Sequence, residues 1–132
     1  GAGPRRTPAL AARFADEFNV PFHSLEATAD AITRVRNACE EAGRDPDDLI
    51  YGAAQTIVCG ADEAELDRRA KAIGRTDGDH ARATALGGTP SEVIDTLGRF
   101  AEMGCTRMYL QLLDLSDLDH VRLVAAEVMG RV

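Results

Sequence analysis

The sequence is poor in aromatic residues. Phe, Trp and Tyr together make up 5% of its 132 residues, and Trp is absent. Hydrophobic residues nevertheless reach 45%, which is a normal share for a globular protein. A buried core must therefore consist mainly of aliphatic side chains. The length fits a single domain of about 100–200 residues, and residues 1–132 are predicted to form one α/β unit.

Basic residues are also fewer than acidic residues. The 15 Lys and Arg residues face 22 Asp and Glu residues, which gives a net charge of −7. A nucleic-acid-binding face or a face for anionic lipids needs basic residues, so neither partner is predicted. No apolar run approaches the roughly 18 residues that a membrane span requires. We expect a cytoplasmic protein.

Cysteine and histidine show no pattern typical of a metal site. Cys39, Cys59 and Cys105 lie far apart, without a Cys-x-x-Cys or Cys/His spacing. Reduced, buried thiols are therefore predicted rather than disulfides or a zinc site. The histidines fall in separate loops or helices and are predicted to lie on the surface; they are His23, His80 and His120.

Strand patterns alternate with helix patterns along the chain. The predicted strands are Ala15–Pro21, Leu49–Cys59 and Arg107–Leu112, each rich in β-branched or aromatic residues or bounded by Gly or Pro. Helices with apolar residues at a spacing of three or four fill the intervals. The polar segment Arg75–Gly88 is predicted as a surface excursion with one helical turn near residues 81–86.

Helix starts are marked by capping residues. The predicted caps are Thr7 with Pro8 at the first helical position, Ser24, Asp62 with Glu65, Thr89 with Glu92, and Ser116 with Asp119. The first helix places Leu10 and Phe14 on one face. The predicted buried stripe of the last helix consists of Leu118, Val121, Val124, Ala125 and Val128.

This alternation predicts parallel βα units. Three parallel strands cannot close a barrel, which takes eight strands and about 250 residues, and the first helix has no strand before it. We therefore expect the chain to be part of a polypeptide of about 250–350 residues. The alternative is a complete small α/β protein. Unpaired sheet edges are templates for association, so a homo-oligomer is expected.

The most site-like stretch is Gly1-Ala2-Gly3-Pro4-Arg5-Arg6-Thr7. Glycines allow the backbone to approach an anion, and a helix N-terminus offers unpaired N–H groups. Arg5 and Arg6 could add charge-assisted hydrogen bonds to a phosphate. The plainer interpretation is a tight turn with exposed arginines.

Ligands of βα folds bind at the carboxyl ends of strands. Asn19, Gln111 and Asp114 stand at such ends. They could line a pocket, although each residue type is also common in turns and caps.

Several segments in succession resemble the luciferase-like monooxygenases, which include the F420-dependent oxidoreductases. The segments are residues 1–7, with Ala2 where the family usually has glycine, Leu10–Asn19, Ala42–Pro46, Gly88–Val93 and Met108–Gln111. The resemblance spans essentially the whole chain, and the segments follow one another in the order that the family has them.

The resemblance implies the C-terminal part of a TIM-type (β/α)8 barrel. It implies a flavin- or F420-dependent oxidoreductase of the monooxygenase type, with FMN or F420 as cofactor and a small-molecule substrate. Gly1, Gly3, Pro4, Arg5 and Arg6 would lie where the family holds the cofactor phosphate. The family's catalytic residues come largely from the N-terminal part, so no catalytic residue is predicted in this chain.

A second class of function stays open. The chain could be a self-contained, non-catalytic α/β module, such as a flavodoxin-like binding or assembly domain. A phospho-receiver would need aspartates clustered at the end of its first strand. Asp16-Glu17 precedes Phe18-Asn19 and lacks that arrangement.

Overall fold

A computed structural model describes residues 3–131 of the chain. The helices are α1 (Arg6–Phe14), α2 (Leu25–Glu41), α3 (Glu63–Ala72), α4 (Gly78–Thr84), α5 (Pro90–Glu102) and α6 (Leu118–Glu127). The strands are β1 (Glu17–Pro21), β2 (Ile50–Cys59), β3 (Leu86–Gly88) and β4 (Arg107–Gln111). A short 3-10 turn over Pro46–Asp48 precedes β2. None of the described helices is long and apolar enough to cross a membrane.

The sheet is parallel, as the alternation of helices and strands predicts. β1 runs beside the first half of β2, from Glu17 opposite Ile50 to Pro21 opposite Ala54. β3 runs beside the end of β2, with Cys59 opposite Gly88. β4 also pairs with β2. The predicted α/β fold with parallel βα units is therefore confirmed.

The chain divides into two compact units, and β2, α5 and β4 contribute to both. The first comprises Gly1–Ala54 and Phe100–Tyr109. Its core is aliphatic with few aromatic rings, as the composition requires. Fully or almost fully buried members of this core are Ala12, Ile32, Val35, Cys39, Tyr51 and Ala53.

The second unit comprises Gln55–Arg99 and Leu110–Val132. Val58 of β2 packs there with Leu66 and Ala70 of α3 and with Ala81 of α4. Gly87 brings β3 against α4, because a Cβ at this position would lie 2.5 Å from the carbonyl carbon of Ala81.

Most of the predicted helix boundaries are confirmed. The Ser24 side chain accepts a hydrogen bond from the Ala27 N–H (3.2 Å), and the Asp62 carboxylate accepts one from the Glu65 N–H (2.9 Å). Gly43 follows α2 with a φ of 71°, the left-handed conformation that glycine adopts at little cost.

The predicted face of α1 is wrong, and that of α6 is confirmed only at Val124 and Val128. Leu10 and Phe14 are 58% and 73% exposed, and α1 instead buries Pro8, Ala11 and Ala12. In α6 the predicted residues Leu118, Val121 and Ala125 are exposed, whereas His120, Val124 and Val128 are buried. Both helices have apolar residues on more than one face, so periodicity alone could not select the buried one.

The predicted surface excursion over Arg75–Gly88 is also wrong in part. It contains α4, which Asp77 caps through the His80 N–H (2.8 Å), and the three-residue strand β3. The sequence Leu-Gly-Gly has no strand signature. Its pairing with β2 decides its structure.

Candidate functional site

The predicted phosphate-binding segment leads into α1. Gly3, Pro4, Arg5 and Arg6 are exposed, whereas Gly1 lies outside the described residues. The helix begins at Arg6 rather than after Thr7, so the predicted capping role of Thr7 is wrong. Pro8 is instead in the first helical turn, where a missing N–H costs no helical hydrogen bond.

The N-terminus of α1 carries no side-chain cap. Arg5 stands at the N-cap position with an aliphatic stem and a guanidinium, which cannot accept hydrogen bonds, and no acidic residue lies in the first turn. The N–H groups of Arg6 and Thr7, which precede the first helical hydrogen bond from Ala9 to Arg5, therefore remain available to an external acceptor. Their partial positive charge, together with Arg5 and Arg6, favours an anion.

The backbone at Gly3 lies close to α1. A Cβ there would be 3.3 Å from Thr7 Oγ1, which is a tight contact. Glycine thus leaves this stretch of backbone accessible and free of a side chain. Such access is what a phosphate needs in order to meet backbone N–H groups.

The three strand-end candidates are not brought together into one pocket by the contacts of either unit. In the second unit, Gln111 Oε1 accepts a hydrogen bond from Thr56 Oγ1 (3.2 Å). Asp114 Oδ1 accepts bonds from the N–H (3.0 Å) and the hydroxyl (2.6 Å) of Ser116, and these bonds lower the pKa of the Asp114 carboxyl. Asp114 therefore acts as a turn residue.

Asn19 belongs to a different cluster, in the first unit, on one face of the sheet. Glu17 of β1 accepts hydrogen bonds from the Tyr109 hydroxyl (2.9 Å) and from Arg107 (2.5 Å), both of β4. Gly52 of β2 makes room for this arrangement. A Cβ at residue 52 would lie 2.7 Å from Glu17 Oε1 and 3.1 Å from Asn19 Nδ2.

The second unit contains a buried polar cluster at the end of β2. Arg69 is 4% exposed, and its Nε donates to Asp117 Oδ2 (2.8 Å) and its Nη1 to the carbonyl of Cys59 (2.8 Å). Glu65 Oε1 lies 3.0 Å from Arg69 Nη2. The hydrogen bond from Arg69 holds the pKa of Asp117 well below its usual value.

His120 completes this cluster, so its predicted surface position is wrong. It is 5% exposed, and its Nε2 accepts a hydrogen bond from the Cys59 N–H (2.9 Å). Burial and the neighbouring Arg69 lower the pKa of His120. A neutral ring is required here, because a protonated Nε2 could not accept this bond.

This cluster is structural in character. The cavity beside it, lined by Arg69, Asp114, Asp117 and His120 among others, has a volume of about 10 Å³. That is room for about one water molecule and far too small for a flavin. The sequence signal that could have identified the cluster is the helical spacing that places His120 in line with Val124 and Val128.

The cysteine thiols are all shielded from solvent. All three cysteines are free and buried, as predicted. Burial raises the pKa of Cys59 to about 11 and also raises that of Cys105, so both remain protonated at neutral pH. Within residues 3–131, no group of three or more His, Cys, Asp or Glu side chains is arranged to hold a metal.

Comparison with known proteins gives matches of fold but none of sequence. No protein-family model matches the chain, and no curated protein sequence does. Among solved structures, 98% of the chain superposes on a coenzyme F420-dependent tetrahydromethanopterin reductase from Methanopyrus kandleri, with 19% identity and a TM-score of 0.72. A monooxygenase from Streptomyces bottropensis matches 98% of the chain, with 19% identity and a TM-score of 0.73.

A third match carries a flavin. It is the oxygenating constituent of the 3,6-diketocamphane monooxygenase of Pseudomonas putida in complex with FMN, with 17% identity and a TM-score of 0.70 over 98% of the chain. The chain spans 49%, 46% and 46% of these three proteins. The fold of the chain therefore corresponds to part of a barrel. It matches about half the length of the luciferase-like monooxygenases, the family that its sequence motifs resemble.

Proposed function

We propose that this chain is the C-terminal part of a flavin- or F420-dependent oxidoreductase of the monooxygenase type. In that protein it supplies part of the cofactor phosphate site and part of the barrel wall. The observation that carries the proposal is the uncapped, exposed N-terminus of α1, with Gly3 and two arginines beside it, in a fold shared with F420- and FMN-binding proteins.

The residues at this helix start suit a phosphate. Backbone N–H groups of the first turn would donate to its oxygens, and the positive end of the helix dipole would favour its charge. Arg5 or Arg6 would add a charge-assisted hydrogen bond. Gly1 would extend this backbone contact, and Pro4 would fix the direction in which the chain enters α1.

The cofactor, FMN or F420, supplies the redox chemistry when it is bound. The residues of this chain bind and orient it, and no catalytic residue is assigned among them. The substrate is a small molecule that reaches the ring from the rest of the barrel. We further propose that the whole protein is a homo-oligomer.

Replacing Gly3 with Val in the full-length protein tests the phosphate site. A β-branched side chain at Gly3 would cover the backbone and hinder the approach of the phosphate. We expect affinity for the cofactor to fall at least about tenfold, equivalent to about 1.4 kcal/mol. Fluorescence titration of wild type and variant with FMN and with F420 measures this change.

The variant Ala9→Val is a matched control, because Ala9 is an exposed position of the same helix, beyond its first turn. It should bind the cofactor as wild type does. Unchanged affinity in Gly3→Val would remove the phosphate role from this segment. Failure of the full-length protein to bind either cofactor would remove the proposed function. The 132-residue chain alone should bind weakly or not at all and show no turnover.

A further inference from the structure

Arg44 lies where α1 ends, and it donates to backbone carbonyls from different parts of the first unit. Its Nη1 donates to the carbonyls of Ala12 (3.2 Å) and Ala15 (2.8 Å), and its Nη2 to that of Asp48 (3.5 Å). The first two belong to the last turn and C-cap of α1, and the third precedes β2. One guanidinium thus joins the end of α1 to the connection between α2 and β2.

A cation is well placed at this point. The last carbonyls of a helix have no partner within the helix and form the negative end of its dipole. Two nearby carboxylates are engaged elsewhere, since Asp45 accepts from the Asp47 N–H (2.9 Å) and Asp47 pairs with Arg36 (2.9 Å). The planar fork of arginine donates to several acceptors at once in fixed directions.

The packing of α1 leaves its axial position partly to such bonds, with further support from the Asp16 carbonyl just past the helix, which accepts from the Ile50 N–H (3.0 Å). The residues that α1 buries are Pro8, Ala11 and Ala12. Small side chains allow close approach but interlock little, so they resist sliding along the helix axis weakly. The hydrogen bonds from Arg44 have direction, and they fix one end of a helix of nine residues.

We infer that Arg44 is a positioning residue for the cofactor phosphate, an inference that rests on the proposed function. By holding the C-terminal end of α1, Arg44 sets where the N–H groups at the other end meet the phosphate. The helix is about 13 Å long at a rise of about 1.5 Å per residue, so Arg44 acts through α1 and does not touch the ligand. This role would give a function to the Ala42–Pro46 segment, which contains Arg44.

The test compares ligands with and without the phosphate in the full-length protein. Variants Arg44→Ala and Arg44→Lys are titrated with FMN and riboflavin or, if the protein prefers F420, with F420 and its phosphate-free deazaflavin ring. We expect Arg44→Ala to weaken binding of the phosphate-bearing cofactor about tenfold. Binding of the phosphate-free ligand should change less than about twofold. Arg44→Lys should fall between wild type and Arg44→Ala.

Arg36→Ala is the matched control. Arg36 belongs to the same unit, pairs with Asp47 and lies over the Tyr51 ring at 4.9 Å, but it makes no hydrogen bond to α1 in the described chain. It should leave the ratio of the two affinities unchanged. A general loss of structural order would weaken the binding of both ligands equally. Equal weakening in Arg44→Ala would overturn the inference, and so would unchanged affinity for both ligands.

The Gly3→Val variant separates failure of this inference from failure of the proposed function. If Gly3→Val changes the affinity ratio and the Arg44 variants do not, the positioning role alone is wrong. If Gly3→Val also leaves the ratio unchanged, the phosphate site itself is wrong. If Arg44→Ala fails to fold, the Arg44→Lys variant tests the inference instead. Wild-type affinity of Arg44→Lys for the phosphate-bearing cofactor would contradict the inference.

Discussion

At the scale of single residues, Gly52 leaves room for neighbouring side chains to interact because it has no side chain of its own. Glu17 reaches over this position of β2 to Tyr109 and Arg107 of β4. A Cβ at residue 52 would crowd the Glu17 carboxylate. Three strands of the first unit are thus tied by contacts that depend on a glycine within a strand.

Replacing Gly52 with Val should destabilise the protein although valine favours strands. The Cβ would lie 2.7 Å from Glu17 Oε1, so the carboxylate, at the end of a flexible side chain, must shift and its hydrogen bonds must weaken. We expect a loss of about 0.5–1.5 kcal/mol in the free energy of unfolding. Urea denaturation followed by circular dichroism measures it.

Gly98→Ala is the control for this substitution. Gly98 lies within α5, with nothing within 4 Å of a Cβ there, so alanine should stabilise the protein by about 0.5–1 kcal/mol. In a Glu17→Ala background, Gly52→Val should cost less than in wild type. An equal cost in both backgrounds would mean that the displaced carboxylate is not the cause.

At the scale of elements, the start of α6 depends on Asp117, not on the predicted pair of Ser116 and Asp119. The Asp117 carboxylate accepts from the His120 N–H (2.9 Å) and from Arg69 Nε (2.8 Å). The Ser116 hydroxyl is engaged by Asp114 (2.6 Å). Asp117 therefore both caps α6 and ties it to α3.

Asp117→Ala should be strongly destabilising, and Ser116→Ala should not. Removal of Asp117 leaves the buried guanidinium of Arg69 without its closest carboxylate and α6 without its cap. Breaking a buried ion pair costs about 3–5 kcal/mol, whereas Ser116→Ala, at an exposed position, should cost less than about 0.5 kcal/mol. Thermal and urea unfolding compare the two variants. Similar losses would show that Asp117 has no special role.

No pattern in the sequence predicts strand β3. Its three residues include Gly87 and Gly88, and glycine disfavours strands. The Gly60 N–H donates to the Gly88 carbonyl (3.1 Å) just beyond the paired residues. Pairing with the edge of β2 therefore outweighs the local preference.

At the scale of the whole molecule, exposed apolar groups and an open sheet edge predict association of the chain when it is produced alone. Within residues 3–131, β1 pairs only with β2, which leaves its other edge unpaired. Leu10, Phe14 and Phe22 of the first unit are more than half exposed. Light scattering should give at least twice the mass of 14.1 kDa, because bare edges and apolar patches promote pairing.

Two charge substitutions on α1 sharpen this prediction. Phe14→Glu places a charge on the apolar face and should shift the mass toward that of a monomer. Ala9→Glu adds the same charge at another exposed position of α1 and should leave the mass unchanged. A stable monomer of the unaltered chain at high concentration would contradict the prediction.

The sequence by itself determined the order of the main elements, the parallel α/β class and most helix boundaries. Ser24, Asp62 and Gly43 act on backbone groups a few residues away, so their effects can be predicted locally. The segment with Gly3, Arg5 and Arg6 was likewise visible in the sequence as the approach to a helix. The predicted start of that helix was too late, and the phosphate role of the segment stays a prediction.

Only the tertiary structure decided which faces are buried and which distant polar groups meet. The Cys59 N–H donates a hydrogen bond to His120, which is 61 residues away in sequence. The Tyr109 hydroxyl donates one to Glu17, which is 92 residues away. Such partners share no local pattern, because their contact depends on strand pairing and helix packing. The buried position of His120, the cluster around Gly52 and the anchoring of α1 by Arg44 all follow from contacts between segments that are far apart in sequence.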